Sequence, residues 1–312
     1  MTILFHHSAF EAHEMGPHHP ESPARIRAVI EELESSGLMA RLQREEAPMA
    51  REEDILRAHN RDHWEALKAA APESQYAVID SDTAMNPHTL EAVSRAVGAV
   101  VQAVEAVVCG RAKTAFCAVR PPGHHAQRDQ AMGFCFLNSV AVGALYATEA
   151  LGLERVAVVD FDVHHGNGTE EILADRPGML MVSTFQQGIY PGWGERPLGK
   201  NMVNVALPGG SDGKALRAAV LEQWIPALDA FCPELIIISA GFDAHRDDPL
   251  AGLRWTEADY GWVTEQLIAV AGRHAQGRIV SSLEGGYETR SLGRSVASHL
   301  SALLLGETLG SA

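Results

Sequence analysis

One stretch of the sequence, residues 156–169, concentrates side chains that could do chemistry. It starts with four apolar residues, V-A-V-V, as a buried strand does, and ends as a polar, glycine-rich loop. Its polar side chains are those of Asp160, Asp162, His164, His165 and Asn167. Because side chains alternate between the faces of a strand, the first three share one face if the strand continues to His164. Unpaired charges are rarely buried, so two carboxylates and an imidazole at a strand end favour a divalent metal.

A third metal ligand is expected from a second strand. The run L-I-I-I-S-A at 235–240 predicts a continuous apolar strand, and Asp243 follows it. Together, Asp162, His164 and Asp243 would leave one coordination position open for water, as in catalytic zinc sites. An isolated D-x-H pair is more often a turn cap beside a loop histidine. The addition of Asp243, with three more motifs at the same sheet edge, favours the metal.

The loop R-P-P-G-H-H-A at 120–126 places His124 and His125 side by side. Adjacent histidines need different partners, and Asp160 and Asn167 are the candidates. A carboxylate partner raises the pKa of an imidazole more than an amide does, so the pair would suit acid and base roles. The alternative is two surface histidines beside a proline turn.

Two further features concern a substrate. In E-G-G-Y at 284–287, the flexible glycines would let the hydroxyl of Tyr287 donate a hydrogen bond to a developing oxyanion, although a tyrosine after a strand more often serves packing. The glycine-framed aromatic loops at 132–138 and 188–194 predict a narrow apolar passage for a thin substrate stem, or else ordinary loop anchors.

Alternating strands and helices must position these motifs. The apolar runs predict strands at 3–6, 115–119, 156–161, 179–183, 235–240 and 278–283. Helical spacing predicts helices at 23–34, 52–71 (in two pieces), 89–109, 138–151, 169–173, 215–231, 256–274 and 292–305. This order predicts one α/β domain over residues 1–312, with a mostly parallel central sheet flanked by helices. Ligands of such sheets bind beyond the carboxyl ends of the strands, where the motifs lie.

Composition excludes several classes of function. The net charge is −15 over 312 residues, which disfavours direct nucleic-acid binding and is compatible with cationic substrates. The N-terminus lacks the pattern of a signal peptide, and no apolar run is long enough to span a membrane. The four cysteines lack metal-site spacing. We therefore expect a soluble, cytoplasmic protein without a membrane partner; the oligomeric state cannot be read from the sequence.

Six motifs in order along nearly the whole chain resemble the histone deacetylase superfamily. They are H-P-E-S-P-A-R-I, R-P-P-G-H-H-A, G-F-C-F-L-N, D-F-D-V-H-H-G-N-G-T, S-A-G-F-D-A-H-R-D-D-P-L and L-E-G-G-Y. The chain is most similar to class II members and bacterial relatives, including acetylpolyamine amidohydrolases. The resemblance implies an arginase/deacetylase-like three-layer fold and zinc-dependent hydrolysis of an amide.

The resemblance also implies a role for each motif residue. Asp162, His164 and Asp243 match the zinc ligands, and His125 matches the general base that takes a proton from the attacking water. His124 matches the histidine that acts electrostatically and helps to protonate the leaving amine. Asn167 and Asp160 match the partners of His125 and His124, respectively, and Asn167 itself is the class II residue. Tyr287 matches the tyrosine that polarises the scissile carbonyl.

Substrate contacts follow from the same resemblance. Phe134, with Gly133 beside it, and Tyr190 match the walls of the substrate tunnel. Leu250 stands where polyamine-selective relatives can carry a gatekeeper glutamate, which argues against that form of polyamine selectivity. His88 replaces a serine that often contacts the substrate amide in class II relatives.

The resemblance implies further ions as well. A structural potassium site maps to Asp160, Asp162, His164, Ser183 and Thr184, largely through backbone oxygens. A second potassium site maps to the region of Leu173, Arg176 and Met179. Arginases hold two manganese ions with an extra carboxylate two positions after the histidine. Gly166 occupies that position here, so one catalytic metal is expected.

The expected reaction is removal of an acetyl group from acetyl-lysine or a similar N-acylated amine. A close alternative is an amidohydrolase of acetylpolyamines or other small N-acyl compounds. An alternative of another class is a catalytically silent, zinc-dependent binder of acylated partners.

Overall fold

The computed structural model describes residues 1–309, and side chains up to residue 306. The strands, in chain order, are β1 (Thr2–His6), β2 (Gln43–Glu46), β3 (Ala77–Val78), β4 (Ala84–Met85), β5 (Thr114–Cys117), β6 (Val156–Asp160), β7 (Met179–Gln186), β8 (Met202–Leu207), β9 (Leu235–Ala240) and β10 (Ile279–Leu283). Eight of them form one sheet in the order β2-β1-β5-β10-β9-β6-β7-β8, and every neighbouring pair in it is parallel. Strands β3 and β4 form a separate antiparallel pair.

Helices flank this sheet. They are α1 (Ala9–Ala12), α2 (Pro23–Ser35), α3 (Glu52–Ala58), α4 (Arg61–Ala70), α5 (Thr89–Val108), α6 (Ser139–Glu149), α7 (Asn167–Leu173), α8 (Gly213–Ala219), α9 (Ile225–Phe231), α10 (Glu257–His274) and α11 (Thr289–Leu309). A 3₁₀ turn covers Leu38–Arg41, and a π-helical turn, Val220–Trp224, joins α8 to α9. No helix in the described part of the chain is long and apolar enough to cross a bilayer.

The core lies on the central strands. Strands β5, β6, β9 and β10 are buried along their whole length. Helix α5 packs on β5 and β10, and α6 packs on β6 and β9. Strands covered by helices must be apolar on both faces, which explains the continuous apolar runs in the sequence. The parallel sheet predicted from those runs is confirmed.

The main differences from the predicted elements concern the sheet edges. Strands β2 and β8 were not predicted, and β7 extends to Gln186 instead of ending at 183. Each of the two missed strands has a single neighbour in the sheet. An edge strand can expose part of its surface: β2, Q-R-E-E, is wholly polar, and β8, M-V-N-V-A-L, is partly exposed and has its apolar run interrupted by Asn204.

Strand β6 ends before the position needed for Asp160, Asp162 and His164 to share a strand face. Strand β6 ends at Asp160, and Asp160 Oδ1 accepts the N–H of Asp162 at 3.0 Å. This contact turns the backbone away from the extended direction. The condition under which Asp160, Asp162 and His164 would share a strand face is therefore not met, and a turn positions the latter two instead.

A buried histidine joins two helices to the sheet far from the strand-end loops. In His299 of α11, Nδ1 lies 2.6 Å from the hydroxyl oxygen of Thr264 in α10. Its Nε2 lies 2.9 Å from the hydroxyl oxygen of Ser281 in β10. Thr264 donates its hydroxyl proton to the carbonyl of Tyr260, so Nδ1 of His299 donates and Nε2 accepts. Burial lowers the pKa of His299 to about 3.

This histidine predicts a specific loss of stability in acid. Unfolded His299 binds a proton near pH 6.5, whereas the folded form does so only near pH 3, so stability is lost as pH falls between these values. Between pH 5.5 and 4.5 the free energy of unfolding should fall about 1.4 kcal/mol further in the wild type than in His299→Gln. Urea unfolding of both proteins at the two pH values measures this. Equal losses would contradict the neutral, buried assignment.

Candidate active site

Asp162, His164 and Asp243 converge where β6 and β9 end. The two strands are neighbours, with Asp160 opposite Ser239, so the loops that follow them start side by side. One ligand atom from each of the three side chains lies within 4.8 Å of the others. His164 Nδ1 is 3.1 Å from both Asp162 Oδ1 and Asp243 Oδ2. These three residues are called the triad below.

The triad attracts positive charge because its carboxylates are buried together. Burial and the charge of Asp162 raise the pKa of Asp243 to about 7. Burial lowers the pKa of His164, but hydrogen bonds to Asp162 and Asp243 outweigh it and raise the pKa to about 10. Two carboxylate oxygens and one imidazole nitrogen form a donor set that suits zinc with an open coordination position. The residues present therefore fit the implied metal.

Glycine backbone packs directly against the triad. A Cβ atom at Gly241 would collide with the carboxylate of Asp162, and one at Gly285 would collide with the carboxylates of both aspartates. The N–H of Gly285 donates to Asp162 Oδ2 at 2.8 Å. The E-G-G-Y loop therefore reaches the triad through its glycine backbone.

His124 and His125 lie on the loop that follows β5. A buried carboxyl group at the end of the neighbouring strand β10 binds this loop. Glu284, which follows β10, accepts the N–H groups of Gly123 at 2.6 Å and His124 at 3.2 Å through Oε2. Ser239 donates to its other oxygen at 3.2 Å. The two imidazole rings are 4.0 Å apart between centroids.

Each imidazole has its own partner. His124 Nδ1 lies 3.0 Å from Asp160 Oδ2, and His125 Nδ1 lies 2.8 Å from Asn167 Oδ1. These are the two pairs that the motif resemblance implied. An amide oxygen only accepts, so Nδ1 of His125 donates its proton and Nε2 is left as the acceptor.

The two histidines are held in different protonation states. Burial lowers the pKa of His125 well below its usual value, and the positive charges of His124 and His164 lower it further. Burial also lowers the pKa of His124, but Asp162 and Asp160 outweigh it and raise the pKa to about 10. In this arrangement His125 is neutral and His124 is cationic. A divalent cation at the triad would lower the pKa of both rings through its charge.

Gly166 has no room for a carboxylate. A Cβ atom there would collide with Asp160 Oδ2 and lie 3.2 Å from His124 Nδ1. The extra ligand of a two-metal site therefore has no place unless Asp160 moves.

His165 contacts other residues than the triad. Its Nε2 lies 2.7 Å from Glu170 Oε2, and its ring lies 4.8 Å from that of Phe185.

Tyr287 follows the glycines whose backbone packs against the triad. Its ring is covered by the guanidinium of Arg25, 4.9 Å from the centroid, and lies edge-on to Phe134 at 5.8 Å. Burial raises the pKa of the phenol well above its usual value; Arg25 opposes this shift, and Asp243 adds to it. The hydroxyl therefore stays protonated and can donate a hydrogen bond.

The aromatic residues predicted as tunnel walls lie next to these groups. The ring of Tyr190 is 5.0 Å from that of His125 and 6.3 Å from that of His164. A Cβ atom at Gly133 would lie 2.6 Å from the His125 ring and 2.8 Å from the Tyr190 hydroxyl. Glycine at 133 therefore lets the two rings approach closely.

Phe134 has a backbone conformation that is rare for a bulky residue, with φ of +68°. Its N–H donates to Thr83 Oγ1 at 3.0 Å, and its ring packs edge-on against His19 at 4.7 Å. Strain of this kind persists only where the surroundings impose it. The contacts with Thr83 and His19 thus aim the ring toward Tyr287.

Leu250 and His88 differ in their relation to the site. Leu250 is 38% exposed, and its N–H donates to Asp248, which also binds the backbone of Tyr287. His88 is exposed at the start of α5. Within residues 1–306, no hydrogen bond or ring contact links His88 to the triad, the histidine pair or Tyr287.

The residues implied for the first potassium site fit a cation. Ser183 lies opposite Asp160 across the β6–β7 pair. The buried hydroxyl oxygens of Ser183 and Thr184 have no hydrogen-bond partner. Unpaired buried oxygens beside a buried carboxylate are an environment that a cation would satisfy.

The region implied for the second potassium site is different. The side-chain amide of Asn201 donates to the carbonyls of Leu173 at 2.9 Å and Met179 at 3.1 Å, and its oxygen accepts the N–H of Asp175 at 2.7 Å. Each carbonyl oxygen has a second lone pair that this amide does not use. The second potassium site therefore stays a prediction.

Sequence reasoning missed a buried charged cluster next to Tyr287. Arg120 binds Glu21 through two hydrogen bonds of 2.7 Å, and Arg25 binds it at 3.0 Å; all three side chains are fully buried. The available signal was charged residues in proline-containing motifs: Glu21 and Arg120 lie in loops, and Arg25 lies in the first turn of α2.

A second missed residue anchors the ends of the loop that carries Phe134. His59 Nδ1 is 2.9 Å from the carbonyl of Gln127, and its Nε2 accepts the N–H of Asn138 at 2.8 Å. Burial, with the nearby charge of His63, lowers its pKa to about 3. A lone histidine before a helix carries no sequence signal for this role.

The fold and the site together define an α/β protein of the arginase/deacetylase-like class, with a pair of histidines, a tyrosine and three potential metal ligands in the loops at the strand ends. The family model described as histone deacetylase domain matches residues 19–303. The chain therefore belongs to the histone deacetylase family, as its motifs predicted.

Individual relatives agree with this assignment. The histone deacetylase-like amidohydrolase of Pseudomonas aeruginosa is 40% identical over 277 residues, which cover 86% of this chain and 72% of that protein. A probable deacetylase of Archaeoglobus fulgidus is 34% identical over 295 residues, which cover 92% and 81%, respectively. The crystal structure of the HDA15 HD domain matches with a TM-score of 0.92 at 34% identity and covers 98% of this chain and 90% of that one. These similarities support deacetylase or amidohydrolase activity.

Proposed function

We propose that this protein is a zinc-dependent deacetylase that hydrolyses acetyl-lysine or a similar N-acetylated amine. One observation carries the proposal: a neutral histidine lies beside the triad, and the loop of a protonated tyrosine is hydrogen-bonded to it. The rings of His125 and His164 are 5.9 Å apart, and the loop of Tyr287 is bonded to the triad through Gly285. This arrangement has the parts needed for hydrolysis of an unactivated amide.

The catalytic roles follow from the hydrogen-bond pattern. Zinc held by Asp162, His164 and Asp243 would supply a Lewis acid for the substrate carbonyl and for water. His125 accepts a proton from the attacking water at Nε2, because Asn167 occupies its Nδ1. Tyr287 donates a hydrogen bond to the carbonyl oxygen as negative charge develops there. His124, paired with Asp160, offers positive charge and a proton for the leaving amine.

The shape of the entrance favours a thin substrate stem. The ring of Tyr190 lies close to His125, and the ring of Phe134 lies close to Tyr287. Gly133 lets the first two rings approach. An acetylated alkylamine chain therefore suits the passage better than a branched group. The negative net charge is compatible with the cationic groups of lysine-rich peptides and polyamines. We propose peptide acetyl-lysine first, with small N-acetylated amines as the alternative.

A structural potassium ion is part of the same proposal. Backbone oxygens of Asp160, Asp162 and His164, with Ser183 and Thr184, would hold it below the triad loop. The unpaired hydroxyls of Ser183 and Thr184 support this assignment. The second potassium site, in the region of Leu173, Arg176 and Met179, stays a prediction, because only hydrogen bonds from Asn201 are seen there.

A substrate panel tests the reaction and its metal. We expect turnover of a fluorogenic acetyl-lysine peptide, loss of turnover with a chelator, recovery on addition of zinc, and a single zinc per chain by metal analysis. A chelator already saturated with zinc is the control. Acetylputrescine and acetylspermidine assayed in parallel distinguish the small-amine alternative. Binding without turnover of any of these compounds would indicate the silent binder, and two tightly bound manganese ions without zinc would contradict the single-metal site.

A further inference from the structure

Asp248 is a buried carboxylate with no place in the roles described so far. It lies in the loop after β9 and is 7% exposed. Its Oδ2 accepts the N–H of Tyr287 at 2.7 Å, and its Oδ1 accepts the N–H of Leu250 at 3.0 Å. The N–H of Glu288 also bonds to it. One carboxylate therefore joins two loops through three backbone donors.

The contact with Tyr287 completes a clamp around one peptide group. The peptide between Gly286 and Tyr287 has its carbonyl bound by Arg25 Nε at 2.6 Å and its N–H bound by Asp248. A buried cation and a buried carboxylate thus hold the two polar ends of the same plane. Such charge-assisted hydrogen bonds are stronger than neutral ones.

This clamp acts directly after two glycines. Gly285 and Gly286 precede the tyrosine, and Gly286 has a φ of +121°, a conformation open mainly to glycine. The orientation of the Gly286–Tyr287 peptide decides where the Tyr287 Cα–Cβ bond points. Holding that peptide therefore sets the position of the phenolic hydroxyl relative to the triad.

We propose that Asp248 is a positioning residue for Tyr287 and that it couples the phenol to the exposed Leu250 at the rim. The inference rests on the proposed role of Tyr287 as donor to the substrate carbonyl. Asp248 acts through the tyrosine backbone and touches no reacting atom. Hydrogen bonding to a transition state is lost with small displacements, so a loosened peptide lowers turnover more than substrate binding.

Asparagine cannot replace this carboxylate. Backbone N–H groups reach both of its oxygens, and the amide group of asparagine has one oxygen and one nitrogen that is only a donor. At least one backbone N–H would then lose its acceptor inside the protein. Asp248→Asn is therefore a nearly isosteric change that breaks the clamp.

The test is a double-mutant cycle between Asp248→Asn and Tyr287→Phe with the fluorogenic acetyl-lysine peptide. We expect Asp248→Asn to lower kcat about 10- to 100-fold with KM nearly unchanged. In the Tyr287→Phe background the same change should cost about threefold or less, because the hydroxyl that it positions is gone. Asp247→Asn is the matched control, since this neighbouring carboxylate is 50% exposed and pairs with His245 and Arg246; among the described residues it has no hydrogen bond or ion pair with the Tyr287 loop.

Other outcomes would overturn the inference. An unchanged kcat in Asp248→Asn, or an equal loss with and without the Tyr287 hydroxyl, would show that Asp248 does not act through the tyrosine. Loss of bound zinc in the variant would show that it serves Asp243 instead. Asp248→Glu, which keeps the charge but moves the oxygens, gives the same comparison if the asparagine variant does not fold. A kcat loss in Tyr287→Phe without one in Asp248→Asn would contradict only this inference, whereas an inactive wild type would contradict the proposed function.

Discussion

His125→Ala is expected to lower kcat for an acetylated peptide by about 10²- to 10⁴-fold. The imidazole has a neutral Nε2 because Asn167 accepts the Nδ1 proton at 2.8 Å and because burial lowers its pKa. Alanine removes Nε2 of His125, which would accept the proton of the attacking water. Bulk water is a poor substitute for this base. Steady-state turnover with the fluorogenic peptide measures the loss.

The adjacent histidine offers a control for this prediction. His165 is as deeply buried as His125 but binds Glu170 and packs on Phe185. His165→Gln should therefore affect the unfolding midpoint more than kcat of the folded enzyme. A larger kcat loss in His165→Gln than in His125→Ala would reverse the roles assigned to the two residues.

Tyr287→Phe is expected to lower kcat by about 10²- to 10³-fold, as removal of one oxyanion donor does in other hydrolases. The variant keeps the ring that packs against Arg25 and Phe134, so the site should stay folded. Only the hydroxyl is lost, and its hydrogen bond strengthens as the carbonyl oxygen gains charge. KM should change much less than kcat.

Tyr190→Phe is the matched control for loss of a phenolic hydroxyl. Its ring lies near His125, but it is 38% exposed and is proposed only to line the entrance. We expect its kcat to stay within a few-fold of the wild type, since the change leaves the wall aromatic. Near-normal turnover in both His125→Ala and Tyr287→Phe would overturn the mechanism as a whole.

Much of the architecture could be predicted because it depends on local patterns. Strands β5, β6, β9 and β10 are buried on both faces, so each appears as an apolar run. The edge strand β2 escaped prediction because its partial exposure permits a wholly polar sequence, and β8 because Asn204 interrupts its short apolar run. The order of strands in the sheet also depends on crossovers that no local pattern records.

The chemical composition of the site was readable from the sequence. Asp162, His164 and Asp243 follow two apolar strands, and parallel strands end at one edge, so their convergence follows from topology. An imidazole at 125, which can accept a proton, and a phenol at 287, which can donate a hydrogen bond, likewise limit the reactions possible at this edge of the sheet. The tertiary structure places these residues together, and their roles remain predictions for the variants described above.

Only the tertiary structure decided how these groups are held. Asp162 and His164 are placed by a turn on the Asp160 carboxylate and not by strand alternation. The side-chain amide of Asn201 donates to the carbonyls of Leu173 and Met179, and Asp248 binds the backbone of Tyr287. Residue types and spacing determine which groups reach the sheet edge. Their orientation depends on hydrogen bonds between loops far apart in sequence, which exist only once the sheet has brought those loops together.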